Sequence, residues 1–112
     1  MQKIEAIIKP NKLEPVKTAL AAAGLLGATA FECKGFGRQM GHTERYRGPK
    51  NDVGFVPKLM LMVVVKDEDV DKALEIVVAA ARTGNVGDGK IFVTPVSRVV
   101  RIRTGETGNE AV

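Results

Sequence analysis

Two glycine-containing segments and a handful of cations are the residues of this 112-residue chain best suited to chemistry. Gly-Phe-Gly-Arg-Gln occupies 35 to 39, and Gly-Asp-Gly-Lys occupies 87 to 90. Glycine lets a backbone approach a ligand closely, and N–H groups exposed in such turns hold phosphate oxygens. Together with Arg38, Lys90, Arg101 and Arg103, the two segments would supply a site of several cations for a polyphosphate. Either segment alone is more often a tight turn, and neither matches a Walker A loop or a dinucleotide fingerprint. A solvated basic face accounts for the cations equally well.

Other chemistry is poorly supported. The single histidine, His42, and single cysteine, Cys33, give no cluster with metal-ligand spacing and no intramolecular disulfide. Asp67, Glu68, Asp69 and Asp71 crowd a helix start, where the helix dipole favours them. With no nucleophile or general base to name, no enzyme activity is expected from these residues. The net charge of +4 favours anionic partners. Nucleic acid is not expected, because Phe31, Phe36, Phe55, Phe92 and Tyr46 include no segment of the kind that stacks RNA bases on a sheet. The lack of a signal-like or membrane-spanning apolar run predicts a cytoplasmic protein that is not itself in a membrane.

The elements that must position these residues follow from periodicity. Residues 2 to 9 read as a strand ending at Pro10. Asn11 and Glu14 are spaced like a capping box ahead of a helix whose apolar positions are Leu13, Val16, Leu20 and Ala23, with Gly24 as its stop. Residues 28 to 36 form a second strand. The pattern then repeats: a strand from Lys58 through LMLMVVV, a helix opened at Asp67 to Asp71 with Val70, Ala73, Leu74, Val77 and Ala81 on one side, and a strand over 90 to 96. SRVVRIRT alternates, which would put Arg101 and Arg103 on one strand face. Two tandem strand-helix-strand units predict an α+β, ferredoxin-like βαββαβ sandwich with both helices on one face of an antiparallel sheet. Strands this continuously apolar, in a chain with only 4% aromatics, predict that the other face is covered by further subunits. Residues 37 to 57 lack periodicity, and so long a loop in a compact domain marks a binding loop.

At this point the motifs become recognisable. MQKIEAIIKP, KGFGRQ-GHTE-YRG at 34 to 48, TGNVGDGKIFV at 83 to 93 and RIRTGE at 101 to 106 resemble, in order and spacing, the PII signal-transduction proteins (the GlnB/GlnK family) over essentially the whole chain. The resemblance implies one PII-type domain over 1–112, with a T-loop at about 37–55 and a flexible C-terminal tail at about 104–112, assembling as a homotrimer with nucleotide sites between subunits. It implies that Thr29, Gly35, Gly37, Arg38 and Val64 line the site for ATP or ADP, that Gly87, Asp88, Gly89 and Lys90 hold phosphates, and that Arg101 and Arg103 reach in from a neighbour. Gln39, through Mg, and Lys58 match the positions that hold 2-oxoglutarate alongside Mg-ATP; no cofactor is covalently bound. Arg45, Tyr46, Arg47, Lys50 and Asn51 fall in the loop that docks on a target such as an ammonium channel, metabolic enzyme, regulator or transporter, and nitrogen metabolism is the implied setting.

Three positions depart from the pattern. Asn51 stands where family members carry the uridylylated tyrosine, Pro49 stands where cyanobacterial members are phosphorylated, and Met62 replaces a commonly acidic residue near the phosphate-binding lysine. These departures keep an alternative open: a diverged PII variant that senses ADP or AMP, and possibly bicarbonate, in inorganic-carbon metabolism.

Overall fold

The structure, a computed structural model, describes residues 1–37 and 54–112. Four strands, β1 (Gln2–Ile8), β2 (Thr29–Gly35), β3 (Val56–Val65) and β4 (Lys90–Pro95), form one sheet in the order β2-β3-β1-β4, every pair antiparallel. Helices α1 (Leu13–Ala22) and α2 (Val70–Ala81) join β1 to β2 and β3 to β4. This is the expected ferredoxin-like arrangement.

Alternation decides which sheet face is dry. Ile4, Ala6 and Ile8 of β1 lie opposite Val63, Leu61 and Leu59 of β3, and all six are buried. The same face takes Val16 and Leu20 from α1 and Ala73, Val77 and Ala81 from α2, which completes one core. Residues between them in sequence, Lys3, Glu5 and Ile7 on β1 and Lys58, Met60, Met62 and Val64 on β3, fall on the opposite face and are only half-buried.

The helix ends show where local chemistry prevailed and where it did not. Gly24, with φ of +79°, ends α1 as expected: its N–H donates to the Ala21 carbonyl at 3.0 Å, and the Leu25 N–H reaches back to the Leu20 carbonyl at 2.9 Å. This is the paired-bond stop that a left-handed residue permits. The capping box does not form. The restricted φ of Pro10 starts a 3-10 turn over Pro10–Lys12 that puts Asn11 inside the turn, and Lys12 enters α1 with no side-chain cap. Ahead of α2, Asp67 accepts from the N-terminal ammonium at 2.7 Å and from Gln2 Nε2 at 3.3 Å, and the first of these bonds chiefly holds its carboxyl below the usual range.

The alternating stretch at 97–104 is not a strand, so Arg101 and Arg103 do not share a strand face. Val100 makes an isolated bridge to Thr107, and the chain turns over between them. Gly105, with φ of +74°, donates its N–H to the Arg101 carbonyl at 2.8 Å, while Arg101 pairs with Glu106 at 2.6 Å and Thr104 Oγ1 donates to the same carboxylate at 2.8 Å. Three contacts close a turn that binary patterning reads as β. The last residues, expected as a tail, include a 3-10 helix over Gly108–Ala111.

Candidate functional site

Antiparallel pairing of β1 with β4 brings the end of β1 beside the start of β4, and the turn that enters β4 therefore lies over Ile7. In that turn Gly87 and Gly89 have φ of +96° and +105°. Gly89 is pressed onto β1: a Cβ there would stand 1.7 Å from the Ile7 carbonyl oxygen. The turn can occupy this place only without a side chain at 89.

Asp88 organises the turn from within. Its carboxylate accepts from the Thr83 N–H at 2.8 Å, the Thr83 hydroxyl and the Gly84 N–H at 2.9 Å, and faces Lys9 Nζ at 3.3 Å. The Thr83 hydroxyl and N–H, helped by Gly84 and Lys9, outweigh partial desolvation and hold Asp88 well below the usual carboxylate range. An Asp88 carboxylate so occupied leaves its backbone as what it can offer a ligand.

Lys58, facing this turn from β3, donates from Nζ to the Gly87 carbonyl at 2.6 Å. Its pKa is lowered, first by burial and then by the nearby Lys9 ammonium, against the opposing influence of Asp88 and of Cys33, its register partner on β2. The turn, Lys58 and the end of β2 enclose a cleft of about 640 Å³. Gly35, Gly37, Lys58, Gly87, Gly89 and Lys90 line it, with Ile7, Phe36 and Phe92 as its apolar wall. Both glycine segments and two of the expected cations thus meet at one end of the sheet.

The remaining expected residues are placed differently. Asp88 lines a neighbouring apolar cavity of about 400 Å³ under α2, to which Gly89 and Lys90 also contribute. Thr29 and Val64 share the open sheet face with Lys58, Thr29 opposite Met62 and Val64 opposite Lys3, and do not line the cleft. Arg101 and Arg103 also do not line it. The Arg101 guanidinium is engaged with Glu106 and with the Glu110 carbonyl at 3.1 Å. Arg38, Gln39, His42, Arg45, Tyr46, Arg47, Pro49, Lys50 and Asn51 lie outside the described residues.

Sequence reasoning did not single out Lys9, Thr83 or the pair Phe36 and Phe55, whose rings meet edge to face with centroids 5.1 Å apart. The Thr83 hydroxyl five residues before Asp88 is a local signal of a side-chain-closed loop. Lys9 and Phe55 have no such signal, because only the strand register brings them to the site. Among the described residues no His, Cys, Asp and Glu form a group able to hold a metal, and no helix is long and apolar enough to cross a membrane.

Fold and cleft define a ferredoxin-like α+β domain whose glycine turns and lysines meet at one end of an uncovered sheet face. Comparison with known proteins agrees: the family model described as "Nitrogen regulatory protein P-II" matches residues 1–106. Nitrogen regulatory protein P-II of Azospirillum brasilense is 59% identical over 112 residues, and that of Mesorhizobium japonicum 60%, each alignment covering 100% of both chains. The solved structure titled "Crystal Structure of Arabidopsis thaliana PII bound to citrate" superposes with a TM-score of 0.83 at 39% identity, covering 99% of this chain and 91% of that one. The chain belongs to the P-II family of nitrogen regulatory proteins.

Proposed function

We propose that the protein is a trimeric, cytoplasmic regulator that binds adenine nucleotides, and 2-oxoglutarate with Mg-ATP, in clefts between subunits, and controls partner proteins through the segment 37–55. The meeting of Gly35–Gly37 and Gly87–Lys90 around Lys58 and Lys90 carries this reading. In it, Gly87, Asp88 and Gly89 offer backbone N–H groups to phosphates, Lys90 adds an ammonium, and Arg38 contributes from the start of the loop. Lys58 takes a carboxylate of 2-oxoglutarate and Gln39 an Mg ion bound by ATP. Thr29, Val64, Arg101 and Arg103 do not line the cleft of their own chain, which suits residues that act in a neighbour's site. That the Arabidopsis relative was solved with citrate lends weight to a carboxylate among the ligands.

Ligands acting at the base of the loop shift its conformers only through unequal affinity for them. Arg45, Tyr46, Arg47, Lys50 and Asn51 are the residues we assign to partner contact. We expect no uridylylation at Asn51 and no phosphorylation at Pro49, since neither side chain carries the hydroxyl required. One observation keeps the inorganic-carbon variant in play: Met62 sits on the open face between Thr29 and Glu5, an apolar residue at a position where the resemblance to PII proteins implies a commonly acidic one.

Calorimetric titration with ATP, ADP and AMP, and with Mg-ATP in the presence of 2-oxoglutarate, tests both readings. Tighter Mg-ATP binding when 2-oxoglutarate is present is expected from reciprocal coupling. If ADP or AMP binds best and 2-oxoglutarate has no effect, the adenylate-sensing variant replaces the nitrogen sensor, and bicarbonate is the next titrant.

A further inference from the structure

We infer that Phe55, which does not itself line the cleft, sets the affinity of the cleft for nucleotide by fixing the ring of Phe36; the inference rests on the nucleotide reading above. Phe36 follows Gly35, whose register partner on β3 is Val56, and Phe55 immediately precedes Val56. The two phenylalanines therefore stand across from each other one step beyond the last paired rung. Their rings meet with an interplanar angle of 81°.

The two partners leave the sheet at the same rung: Phe36 follows Gly35 of β2, Phe55 precedes Val56 of β3, and each has a glycine on its free side, Gly37 and Gly54. Backbone flanked in this way places few limits on either ring. The edge-to-face contact is therefore what fixes the direction of the Phe36 ring, and Phe55 supplies it. The pair is also detached from folding: Phe36 is 55% and Phe55 63% exposed, and neither belongs to the core cluster. What Phe36 does touch is the cleft, where it completes the apolar wall with Ile7 and Phe92. Such a wall suits the flat, weakly polar part of a nucleotide, while the glycines and lysines of the same cleft suit its phosphates. Phe55 is thus a positioning residue, one contact removed from the ligand.

The test is ATP titration by calorimetry of wild type, Phe55→Ala, Phe55→Tyr, Phe36→Ala and the double alanine variant, each with urea unfolding as a check of the fold. An edge-to-face pair is worth enough for Phe55→Ala to weaken ATP binding roughly two- to tenfold. Phe55→Tyr, which keeps the ring, should stay within about twofold of wild type. Because Phe55 acts through Phe36, the double variant should be no weaker than Phe36→Ala alone, a non-additivity that a general structural defect would not produce. Wild-type affinity in Phe55→Ala, or losses that simply add in the double variant, would overturn the inference while leaving the nucleotide reading intact. Failure of the wild type to bind ATP at all would overturn that reading, and this inference with it.

Discussion

Gly89 and Gly84 both have left-handed backbone, with φ of +105° and +88°, but only Gly89 meets an obstacle, the Ile7 carbonyl oxygen 1.7 Å from where a Cβ would stand. Gly84→Ala should therefore cost only the backbone preference, about 1 to 2 kcal/mol. Gly89→Ala must also move the turn off β1, so urea unfolding should show a loss beyond that of Gly84→Ala, and the displaced turn should bind nucleotide poorly. Equal losses would mean that the turn is not pressed on β1. Asp88 makes a prediction in pH. Its folded pKa lies below the ordinary 3.8, so the folded state holds its proton less readily than the unfolded chain. The stability it contributes is present above the ordinary value and is lost as pH falls toward the folded one. The gap in urea midpoint between wild type and Asp88→Asn should accordingly be full at about pH 7 and narrow steadily below about pH 4. A gap that stays constant into acid would show that the Thr83 and Lys9 contacts do not depend on the charge.

Among the elements, the end of α1 is the simplest to test, because a Cβ on Gly24 would meet nothing within 4 Å and its φ of +79° is the whole of its role. Gly24→Ala should destabilise the chain by about 1 to 2 kcal/mol, with no change in nucleotide affinity, as read by thermal unfolding and titration. This stop is legible in the residues, as are the sheet, both helices and their dry faces, because Ile4, Ala6 and Ile8 or Val16 and Leu20 repeat at the period of the element they occupy. The turn at Arg101–Gly105 is not. Val100, Arg101, Ile102 and Arg103 alternate as a strand would, and the contacts that override the pattern, Arg101 with Glu106 and Gly105 with the Arg101 carbonyl, use residues beyond the alternating stretch. Likewise Pro10 displaces the cap that Asn11 and Glu14 spell out. At the site, Gly35–Gly37 and Gly87–Lys90 announce themselves by composition. Lys9 beside Asp88 and Phe55 against Phe36 do not, because the first contact exists only once β1 is paired with β4 and the second only once β2 is paired with β3.

At the scale of the molecule, the sheet has one face sealed by helices and one that a single chain leaves open, with Phe31 52% and Phe92 48% exposed on it beside Met60 and Met62. Burial of such a face against other copies is the economical reason for a chain with a core of small aliphatic residues to assemble. It also divides the proposed site. Lys90 lines the cleft of its own chain, whereas Arg103 does not, and would have to serve the cleft of a neighbour. If the proposed trimer holds the site between subunits, Lys90→Ala and Arg103→Ala proteins should then both bind nucleotide weakly, although each is damaged on a different side of the proposed interface. Mixed trimers assembled from equal amounts of the two chains should recover about one in four sites, since a cleft with an intact lysine can meet an intact arginine from the other chain. Calorimetric stoichiometry of the mixed preparation, compared with either variant alone, reads this directly. Recovery of high-affinity sites would place the two residues on different subunits of one site, whereas no recovery would place both in the same chain and remove the interface from the binding chemistry.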